Sequence, residues 1–352
     1  MDINPKIWNE KRVLVTGHTG FKGSWLSMLL GKLGAEVVGI SLPPVPTPYS
    51  LYSDAKISKI TTREFFLDIR NNIELERVVK ELKPDYIFHL AAQAFVQKSV
   101  KHPRETITTN VDGTTNLLLA AFMSQTVNGI TVVTTDKVYK NIGAPKALNE
   151  SDALGSNDPY SASKAASELI VASLAHANNP RGIPVTTVRA GNVIGGGDWG
   201  EDRLIPDLIR SFLMQSKLKI RNPDATRPWQ HVLDCLNGYL LVAQSHLSSD
   251  LETPKSVNFG PSTSLSVSQL ICVLEKVFKH NFKLEVAPSS FQEAMWLELD
   301  TQLALQFFGW QPKLSIEQSI MQAGNWYSNF LAKCDAAELM LKEIDQYKVG
   351  KF

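Results

Sequence analysis

The sequence lacks the features that mark a secreted, metal-binding or nucleic-acid-binding protein. It has 3 cysteines in 352 residues and a formal net charge of +1. This near-zero charge does not indicate the excess of basic residues that binds nucleic acid or an anionic membrane. The cysteines are too far apart for a disulfide framework or a paired zinc spacing, so we expect no metal and buried thiols in a reducing compartment at Cys235, Cys272 and Cys334.

Targeting and membrane-spanning segments are also missing from the sequence. Its first residues do not combine a basic stretch with an apolar run, so we expect no signal peptide. No segment approaches the roughly 20 apolar residues that a membrane helix needs. We therefore predict a cytoplasmic protein, and its length allows a sizeable core.

The first half of the chain does contain a clear repeating pattern of apolar residues. Short apolar runs rich in β-branched residues alternate with segments of helical period, and these runs cover residues 13–15, 37–40, 65–67, 86–88 and 130–133. Continuous apolar strands suit a sheet that is buried on both faces, and helices between them imply parallel crossovers. The pattern predicts an open, doubly wound α/β sheet.

The second half is less regular, and it predicts a smaller, mixed α/β lobe. We expect one domain over residues 1–190 and a second, with a helical tail, over residues 191–352. Part of residues 232–262 is expected to rejoin the first domain, because the apolar run at 257–259 suits another strand of its sheet. Residues 316–348 have a helical period without proline.

A glycine-rich turn follows the first predicted strand and opens a helix. Glycines at such a turn allow the backbone to approach a pyrophosphate, which then sits at the helix N-terminus. The alternative is a glycine-rich turn without a ligand. The strand–turn–helix context favours a Rossmann-type dinucleotide site formed by Gly17, His18, Thr19, Gly20, Phe21, Lys22 and Gly23.

The second predicted strand ends without the acidic residue that usually binds the ribose of NAD, about 20 residues beyond the glycines. Ser41 stands there, and it can bind a ribose hydroxyl but supplies no carboxylate. His18 and Lys22 add basic character near the phosphates. Because no arginine follows this strand to bind a 2′-phosphate, we favour NAD over NADP, held less tightly than usual.

Tyr160 and Lys164 form a Tyr-x-x-x-Lys pair that shares one face of a predicted helix. A free tyrosine has a pKa near 10, and the cations of lysine and nicotinamide would lower it. The tyrosine could then take a hydroxyl proton while hydride leaves the same carbon. The alternative is a chance pair on a solvated helix, against which the upstream glycine turn argues.

Polar residues also follow the fifth predicted strand, at Thr135, Asp136 and Lys137. Ligands bind at the carboxyl ends of parallel strands, where these residues fall. A simple dehydrogenase needs only a hydroxyl donor here, so the additional acid and base indicate chemistry beyond hydride transfer. The alternative is that both side chains cap a helix or face water.

Together these residues resemble the extended branch of the short-chain dehydrogenase/reductase superfamily, specifically the nucleotide-sugar 4,6-dehydratases. Lysine at position 137 replaces a glutamate that is usual in members acting on thymidine substrates. With Gly-His-Thr-Gly-Phe-Lys-Gly and Arg-Pro-Trp-Gln-His, it resembles the members that act on CDP-glucose. The likeness runs from about residue 8 to about residue 330 and includes residues 68–69, 89–93, 109–110, 189–199, 202–206, 226–231, 299–300 and 308–312.

The resemblance implies a redox-neutral reaction with NAD. Tyr160 would take the proton of the hydroxyl on carbon 4, with Lys164 stabilising the phenolate and Thr135 bonding the same oxygen. Asp136, kept protonated by burial, would protonate the hydroxyl that leaves carbon 6. The implied cofactor contacts beyond the turn are Ser41, Asp68, Ile69, Leu90, Ala91, Ala92, Thr109, Tyr160 and Lys164.

Two roles remain open for Lys137. It is our candidate base for the proton on carbon 5, which requires a neutral amine favoured by burial or a nearby cation. Alternatively, it stays charged and stabilises the enolate, and another group removes the proton.

The resemblance also implies a CDP-sugar substrate and a homodimer or homotetramer. Asn192 and Arg227 are expected at the diphosphate, Gln93 at the hexose, and Arg203 with Leu204 at the base or ribose. A nucleotide-sugar epimerase shares the tyrosine and lysine but has no use for the acid and base after the fifth strand. An NAD-sensing regulator would have little reason to keep both.

Overall fold

The structure, a computed structural model, describes residues 2–45, 47–140, 146–248, 253–287 and 297–348. Its strands, in chain order, are β1 (Arg12–Thr16), β2 (Glu36–Ser41), β3 (Thr61–Phe66), β4 (Tyr86–His89), β5 (Ile130–Val133), β6 (Val185–Ala190), β7 (Val193–Ile194), β8 (Leu218–Ile220), β9 (Thr226–Arg227), β10 (Gln230–His231), β11 (Ser256–Phe259), β12 (Leu265–Ser266) and β13 (Leu284–Val286).

The helices alternate with the strands in the first half and dominate the end of the chain. They are α1 (Pro5–Trp8), α2 (Phe21–Lys32), α3 (Leu51–Asp54), α4 (Asn72–Leu82), α5 (Val96–Lys101), α6 (Pro103–Ile107), α7 (Gly113–Met123), α8 (Pro159–Ala177), α9 (Leu204–Leu213), α10 (Val232–Leu247), α11 (Val267–Phe278), α12 (Gln302–Phe308), α13 (Ile316–Leu331) and α14 (Ala336–Tyr347). Short 3₁₀ turns cover residues 57–59 and 136–138, and a π-helical turn covers residues 108–112.

The central sheet has seven strands in the order β11-β6-β5-β4-β1-β2-β3, and every pairing is parallel. This confirms the predicted doubly wound α/β sheet. The chain leaves β1 toward one edge and returns through β4 toward the other, so a crevice opens between these strands at their carboxyl ends. The run at 257–259 lies within β11, which pairs with β6 and extends the sheet as expected.

The third strand differs from its prediction. It spans Thr61–Phe66, whereas the apolar run had indicated residues 65–67. The strand lies at the edge of the sheet and pairs with β2 through residues such as Arg63 and Glu64. Because one side of an edge strand is unpaired and partly solvated, polar residues suit it and an apolar pattern does not mark its start.

Apolar layers cover both faces of the sheet. Side chains alternate along β1, so Val13 and Val15 join the layer formed with α2, α10, α13 and α14, while Leu14 joins the layer formed with α4, α7 and α8. Each fully buried side chain of this size contributes roughly 1.5–3 kcal/mol to folding. The first layer draws residues from both halves of the chain, which fixes the later elements against the sheet.

The later chain contributes short strand pairs of both kinds, with β7/β10 and β8/β13 parallel and β9/β12 antiparallel. This agrees with the mixed α/β character predicted for it. The expected helical tail is divided into α13 and α14, and Asp335 caps the second by accepting from the amides of Ala337 and Glu338. No helix within the described ranges combines the length and apolarity required to cross a membrane.

The expectation of buried thiols is correct for Cys235 and wrong for Cys272 and Cys334, which are exposed. Cys235 lies on α10, a helix that is buried almost throughout. Cys272 lies on an outer face of α11, and Cys334 lies in the connection between α13 and α14.

Candidate active site

The glycine turn joins β1 to α2 with almost no space around its backbone. Gly17 has a φ of +77°, and a Cβ on it would lie 2.8 Å from the amide nitrogen of Ala91. A Cβ on Gly23 would lie 2.1 Å from the carbonyl oxygen of Gly17. Gly20 caps α2 without a side-chain hydrogen bond, so the first amides of the helix are left for an anion. These residues fit the pyrophosphate of a dinucleotide.

The side chain of His18 does not supply the basic character expected near the phosphates. Its ring is fully buried against Gly39, and its Nε2 lies 3.0 Å from a carboxylate oxygen of Glu64. Burial lowers the pKa of His18, against the raising effect of Glu64. The histidine therefore packs the turn onto the sheet, and only its backbone faces the phosphate position.

Lys22 extends toward the interior of the crevice. Its Nζ lies 3.4 Å from the hydroxyl of Tyr239 and 5.8 Å from the centre of that ring. Its charge also acts on the catalytic candidate Lys164, whose pKa it helps to lower. Lys22 is thus a basic residue of the site. Phe21, beside it, packs on Gly195.

The ribose end of the crevice contains hydroxyl groups where an acid is usual. Ser41 is buried at the end of β2, and its Oγ lies 2.6 Å from Oγ1 of Thr19. Thr19 also lies within 3.3 Å of the carbonyl oxygen of Leu42. The turn and the second strand are therefore joined by a hydroxyl pair that can bind ribose hydroxyls.

Two further predicted cofactor contacts follow β3. Arg70 pairs with the carboxylate of Asp68, and its Nε donates to both oxygens at 3.0 Å. Hydrogen bonds from Arg70 are the main reason that the pKa of Asp68 is lowered. Ile69 is buried under Gly113, and its carbonyl oxygen accepts from the amide of Asn116.

A buried histidine fixes the predicted contacts that follow β4. Thr16 Oγ1 accepts from the amides of Leu90 and Ala91 at 3.2 Å and lies 2.7 Å from Nδ1 of His89. Thr114 donates to the carbonyl oxygen of Asn110, so it accepts from Nε2 of His89. That histidine is neutral, because burial lowers its pKa to about 3. Ala92 continues this loop, and Thr109 lies in the π-helical turn that packs beside it.

The catalytic helix α8 is capped from two sides. The carboxylate of Asp158 accepts from the amide of Ser161 at 2.9 Å, as an N-cap. The amide of Tyr160 donates to Oγ of the fully buried Ser99 at 3.1 Å. Both caps orient the first turn, which carries the tyrosine, while the predicted spacing places Lys164 one turn further along.

Tyr160 and Lys164 are both buried, with 8% and 5% of their surface exposed. Burial raises the pKa of Tyr160 to about 12. The neighbouring cations of the chain do not offset this effect, so the expected lowering is wrong for the polypeptide alone. Burial, and secondly the charge of Lys22, lowers the pKa of Lys164 to about 8. Its Nζ donates to the carbonyl oxygen of Val133 at 3.0 Å.

Thr135 and Asp136 lie directly beside the tyrosine. The Thr135 hydroxyl donates to a carboxylate oxygen of Asp136 at 2.9 Å, and its interaction with Tyr160 lowers the pKa of that tyrosine against the effect of burial. Asp136 is fully buried, and its other oxygen accepts from Nδ2 of Asn192 at 3.4 Å. A Cβ on Gly191 would overlap that oxygen at 1.7 Å. Only glycine allows the carboxyl group to occupy this position.

Lys137 follows Asp136 but has a different environment. Its side chain is exposed, and within the described ranges its ammonium makes no hydrogen bond or ion pair. The base role would therefore need burial of this side chain by bound substrate, or a cation brought near it.

Two of the predicted substrate residues, Gln93 and Arg203, have side chains that already bond to other residues of the chain. Gln93 is buried, and its side-chain amide donates to Thr106 on α6 at 2.8 Å and accepts from the Phe95 amide in its own loop at 2.7 Å. These bonds shape the loop that follows β4, and the expected contact of Gln93 with the hexose stays a prediction. Arg203 pairs with Asp198 at 2.7 Å, and its guanidinium lies 5.3 Å from the centre of the Phe95 ring.

The other three predicted substrate residues lie in the later chain. Leu204 begins α9, directly after Arg203. Arg227 lies on β9, paired with β12, and donates to the carbonyl oxygen of Thr226 at 2.8 Å. Asn192 lies beside Asp136 in a left-handed conformation, with a φ of +50°. The structure therefore brings Asn192 and Arg203 to the catalytic group, since the charge of Arg203 also acts on Tyr160.

Comparison with known proteins places this arrangement in a family. The sequence profile of the GDP-mannose 4,6 dehydratase family matches residues 14–323. The chain belongs to this family. It is 36% identical to a CDP-glucose 4,6-dehydratase of Salmonella typhimurium, over 98% of each chain. It is 27% identical to a dTDP-glucose 4,6-dehydratase of Xanthomonas campestris, over 89% of this chain and 92% of that protein.

Solved structures of dehydratases and epimerases share the fold of this GDP-mannose 4,6 dehydratase family member. A dTDP-glucose 4,6-dehydratase from Streptomyces venezuelae, solved with NAD bound, superimposes with a TM-score of 0.79 at 25% identity, covering 93% of this chain and 99% of that one. A UDP-glucose 4-epimerase from Thermotoga maritima gives a TM-score of 0.80 at 22% identity, covering 91% and 99%. At that identity the epimerase shows the fold alone.

Two residues that hold site residues in place in this family member could not be found from the sequence. Ser99 holds the amide of Tyr160, yet a serine in a short helix has no distinctive pattern. Tyr239 holds Lys22 from the middle of the apolar helix α10, where periodicity indicates only a core residue. Within the described ranges, no group of three or more metal-ligating side chains is close enough to hold a metal.

Proposed function

We propose that this chain is an NAD-dependent 4,6-dehydratase that converts CDP-glucose to CDP-4-keto-6-deoxyglucose with loss of one water. The main supporting observation is that Thr135 donates to the fully buried carboxyl of Asp136, and that both residues lie close enough to Tyr160 to act on its pKa. An oxidation pair and an elimination acid thus reach one substrate position. The relative with 36% identity carries the CDP-glucose dehydratase name.

NAD would be held by the glycine turn and by the hydroxyls of Thr19 and Ser41, and it would supply a transient hydride acceptor that is regenerated in each turnover. Tyr160 takes the proton of the hydroxyl on carbon 4, and Thr135 donates to the same oxygen. Before that transfer Tyr160 must be a phenolate, a form that burial disfavours and that the charge of Lys164 stabilises. The chain's contribution to this step is an oriented base in a water-poor pocket.

The ketone on carbon 4 acidifies the proton on carbon 5. Lys137 takes that proton once the substrate covers its side chain, and Asp136 protonates the hydroxyl that leaves carbon 6 as water. Asp136 is placed for the acid role because it is fully buried and held by bonds from Thr135 and Asn192. Lys137 returns its proton to carbon 5 as hydride reaches carbon 6, and net transfer of the proton held by Tyr160 to Asp136 resets both groups.

The base role of Lys137 can be tested by exchange at carbon 5. Lys137→Met should abolish incorporation of solvent deuterium at carbon 5, while the oxidation at carbon 4 continues. Deuterium incorporation at the wild-type rate would instead leave Lys137 as an electrostatic stabiliser of the enolate.

For the substrate, we propose that Asn192 and Arg227 bind the diphosphate and that Arg203 and Leu204 bind the nucleoside. Incubation with CDP-, dTDP-, UDP- and GDP-glucose, followed by mass measurement, tests both reaction and substrate. We expect loss of one water from CDP-glucose alone. Loss of water from another nucleotide sugar would change the substrate, and a product of unchanged mass would favour an epimerase.

We also propose the division into an NAD-binding domain over residues 1–190, rejoined by part of 232–262, and a substrate lobe over 191–352. A homodimer or homotetramer is proposed through α6, α7 and α8. Ile107 and Leu169 on these helices are 47% and 62% exposed. Leu169→Glu should shift the sedimentation coefficient toward the monomer, and an unchanged coefficient would exclude this face.

A further inference from the structure

A buried ion pair joins the helix of Tyr160 to the strands on which the elimination residues depend. Glu168 lies on α8, one turn beyond Lys164, and both Glu168 and Arg189 are about 4% exposed in their side chains. The guanidinium meets the carboxylate through two parallel bonds of 2.9 Å, from Nε and Nη2. This bidentate geometry fixes orientation as well as distance.

The pair holds both ends of the segment that carries the acid and the candidate base. At the beginning, Thr134 donates to Glu168 at 2.5 Å. At the end, Arg189 Nη1 donates to the hydroxyl of Tyr139 at 2.8 Å, and the guanidinium lies 4.9 Å from the centre of that ring. Residues 135–138 therefore lie between two anchors that share one ion pair.

The same pair also reaches the other partner of Asp136. Arg189 is on β6, and the chain continues from it to Gly191, which packs on the Asp136 carboxyl, and to Asn192, which donates to it. A buried ion pair is weak evidence for stability, because desolvation offsets much of its Coulomb energy. This ion pair instead lies between the oxidation pair on α8 and the elimination residues after β5, where it can fix the position of one relative to the other.

We propose that Glu168 and Arg189 are positioning residues that hold Asp136 and Lys137 in register with Tyr160 and Lys164. They touch no reacting atom. Tyr160 and Lys164 lie on α8 itself, so the anchors at Thr134 and Tyr139 affect the oxidation only through Thr135, whereas they hold both elimination residues. Loosening those anchors stalls the reaction after oxidation at carbon 4 and before loss of water. This inference rests on the proposed dehydratase function.

The chain offers a matched pair of variants for the test. Thr134 and Thr187 each donate one short hydrogen bond to Glu168, at 2.5 and 2.6 Å, and both are buried. Thr134→Val removes the bond that reaches the elimination segment, whereas Thr187→Val removes an equivalent bond from β6. Tyr139→Phe releases the other end of the segment and serves if Thr134→Val does not fold.

The measurement is a single turnover of CDP-glucose with NAD-loaded enzyme, quenched at intervals and analysed by mass. Thr134→Val and Tyr139→Phe should slow water loss about tenfold or more, because a displacement near 1 Å can cost on the order of a hundredfold. They should accumulate the 4-keto sugar that is two hydrogens lighter than substrate. Thr187→Val should lose similar stability, measured by denaturant unfolding, without this accumulation.

Two results would overturn the positioning role. One is a similar slowing in Thr134→Val and Thr187→Val, which would indicate general loosening of the fold. The other is a slowed reaction in Thr134→Val and Tyr139→Phe without accumulation of the keto sugar. If wild-type enzyme neither oxidises CDP-glucose nor removes water from it, the proposed function itself fails, and that outcome is distinct from both.

Discussion

Two buried neutral histidines make the stability of this protein depend on pH. His246 lies between the hydroxyls of Tyr86, at 2.8 Å, and Thr186, at 3.0 Å, and His89 lies between Thr16 and Thr114. Burial is the first cause that lowers the pKa of each histidine to about 3. Both stay neutral in the folded chain at every pH near physiological.

The lowered pKa values of the two histidines set how the unfolding free energy changes with pH. Between about pH 3 and pH 6.5, the unfolded chain binds more protons at these positions than the folded chain does, so stability rises with pH. Above the unfolded pKa near 6.5, the histidine is neutral in both the folded and the unfolded chain and stability is at its full value. This stability is lost as the pH falls below 6.5, because the unfolded chain then gains protons. At pH 5, each histidine lowers the unfolding free energy by about 2 kcal/mol, and the two together lower it by about 4 kcal/mol.

The assay is denaturant unfolding at pH 7 and pH 5, for wild type and for two variants. His246→Gln should reduce the loss between these pH values by about 2 kcal/mol, since one titrating group is removed. His176→Gln is the control, because that histidine is exposed on α8 and should leave the loss unchanged. If His246→Gln loses as much stability as wild type, the account of these histidines is wrong.

Three further predictions concern the catalytic group. Tyr160→Phe should slow oxidation at carbon 4 by about a hundredfold or more, with substrate affinity by calorimetry nearly unchanged; oxidation at the normal rate would exclude Tyr160 as the base. Asp136→Asn should slow water loss by roughly 10²- to 10⁴-fold while oxidation continues, and equal slowing of both steps would contradict the acid role. Ser99→Ala leaves the buried Tyr160 amide without its acceptor and should cost about 1–3 kcal/mol of stability by denaturant unfolding; no change would mean that another group satisfies the amide.

The parts of the fold that depend on local pattern could be predicted from the sequence. The apolar runs identified the buried strands, because a strand covered on both faces needs apolar side chains at successive positions. The glycine turn and the Tyr160–Lys164 spacing were also predictable, since both lie within one strand–turn–helix or one helix. The edge strand β3 was placed poorly because half of its side chains are solvated.

Side-chain environments depend on residues distant in sequence, and these were harder to predict. His18 is basic in sequence, but the space over Gly39 and the carboxylate of Glu64 direct its ring away from the phosphate position. Gln93 satisfies its side-chain amide with Thr106 on α6 and with the Phe95 amide. Glu168 and Arg189 are 21 residues apart on a helix and a strand, and no spacing rule connects them.

CDP-glucose labelled with deuterium on carbon 4 tests most directly whether one enzyme oxidises carbon 4, removes water across carbons 5 and 6, and returns the same hydrogen to carbon 6. We predict a product lighter by one water, with the deuterium on carbon 6 and no net consumption of NAD. Deuterium retained on carbon 4 of an epimerised sugar, or an oxidised sugar that keeps its water, would contradict it.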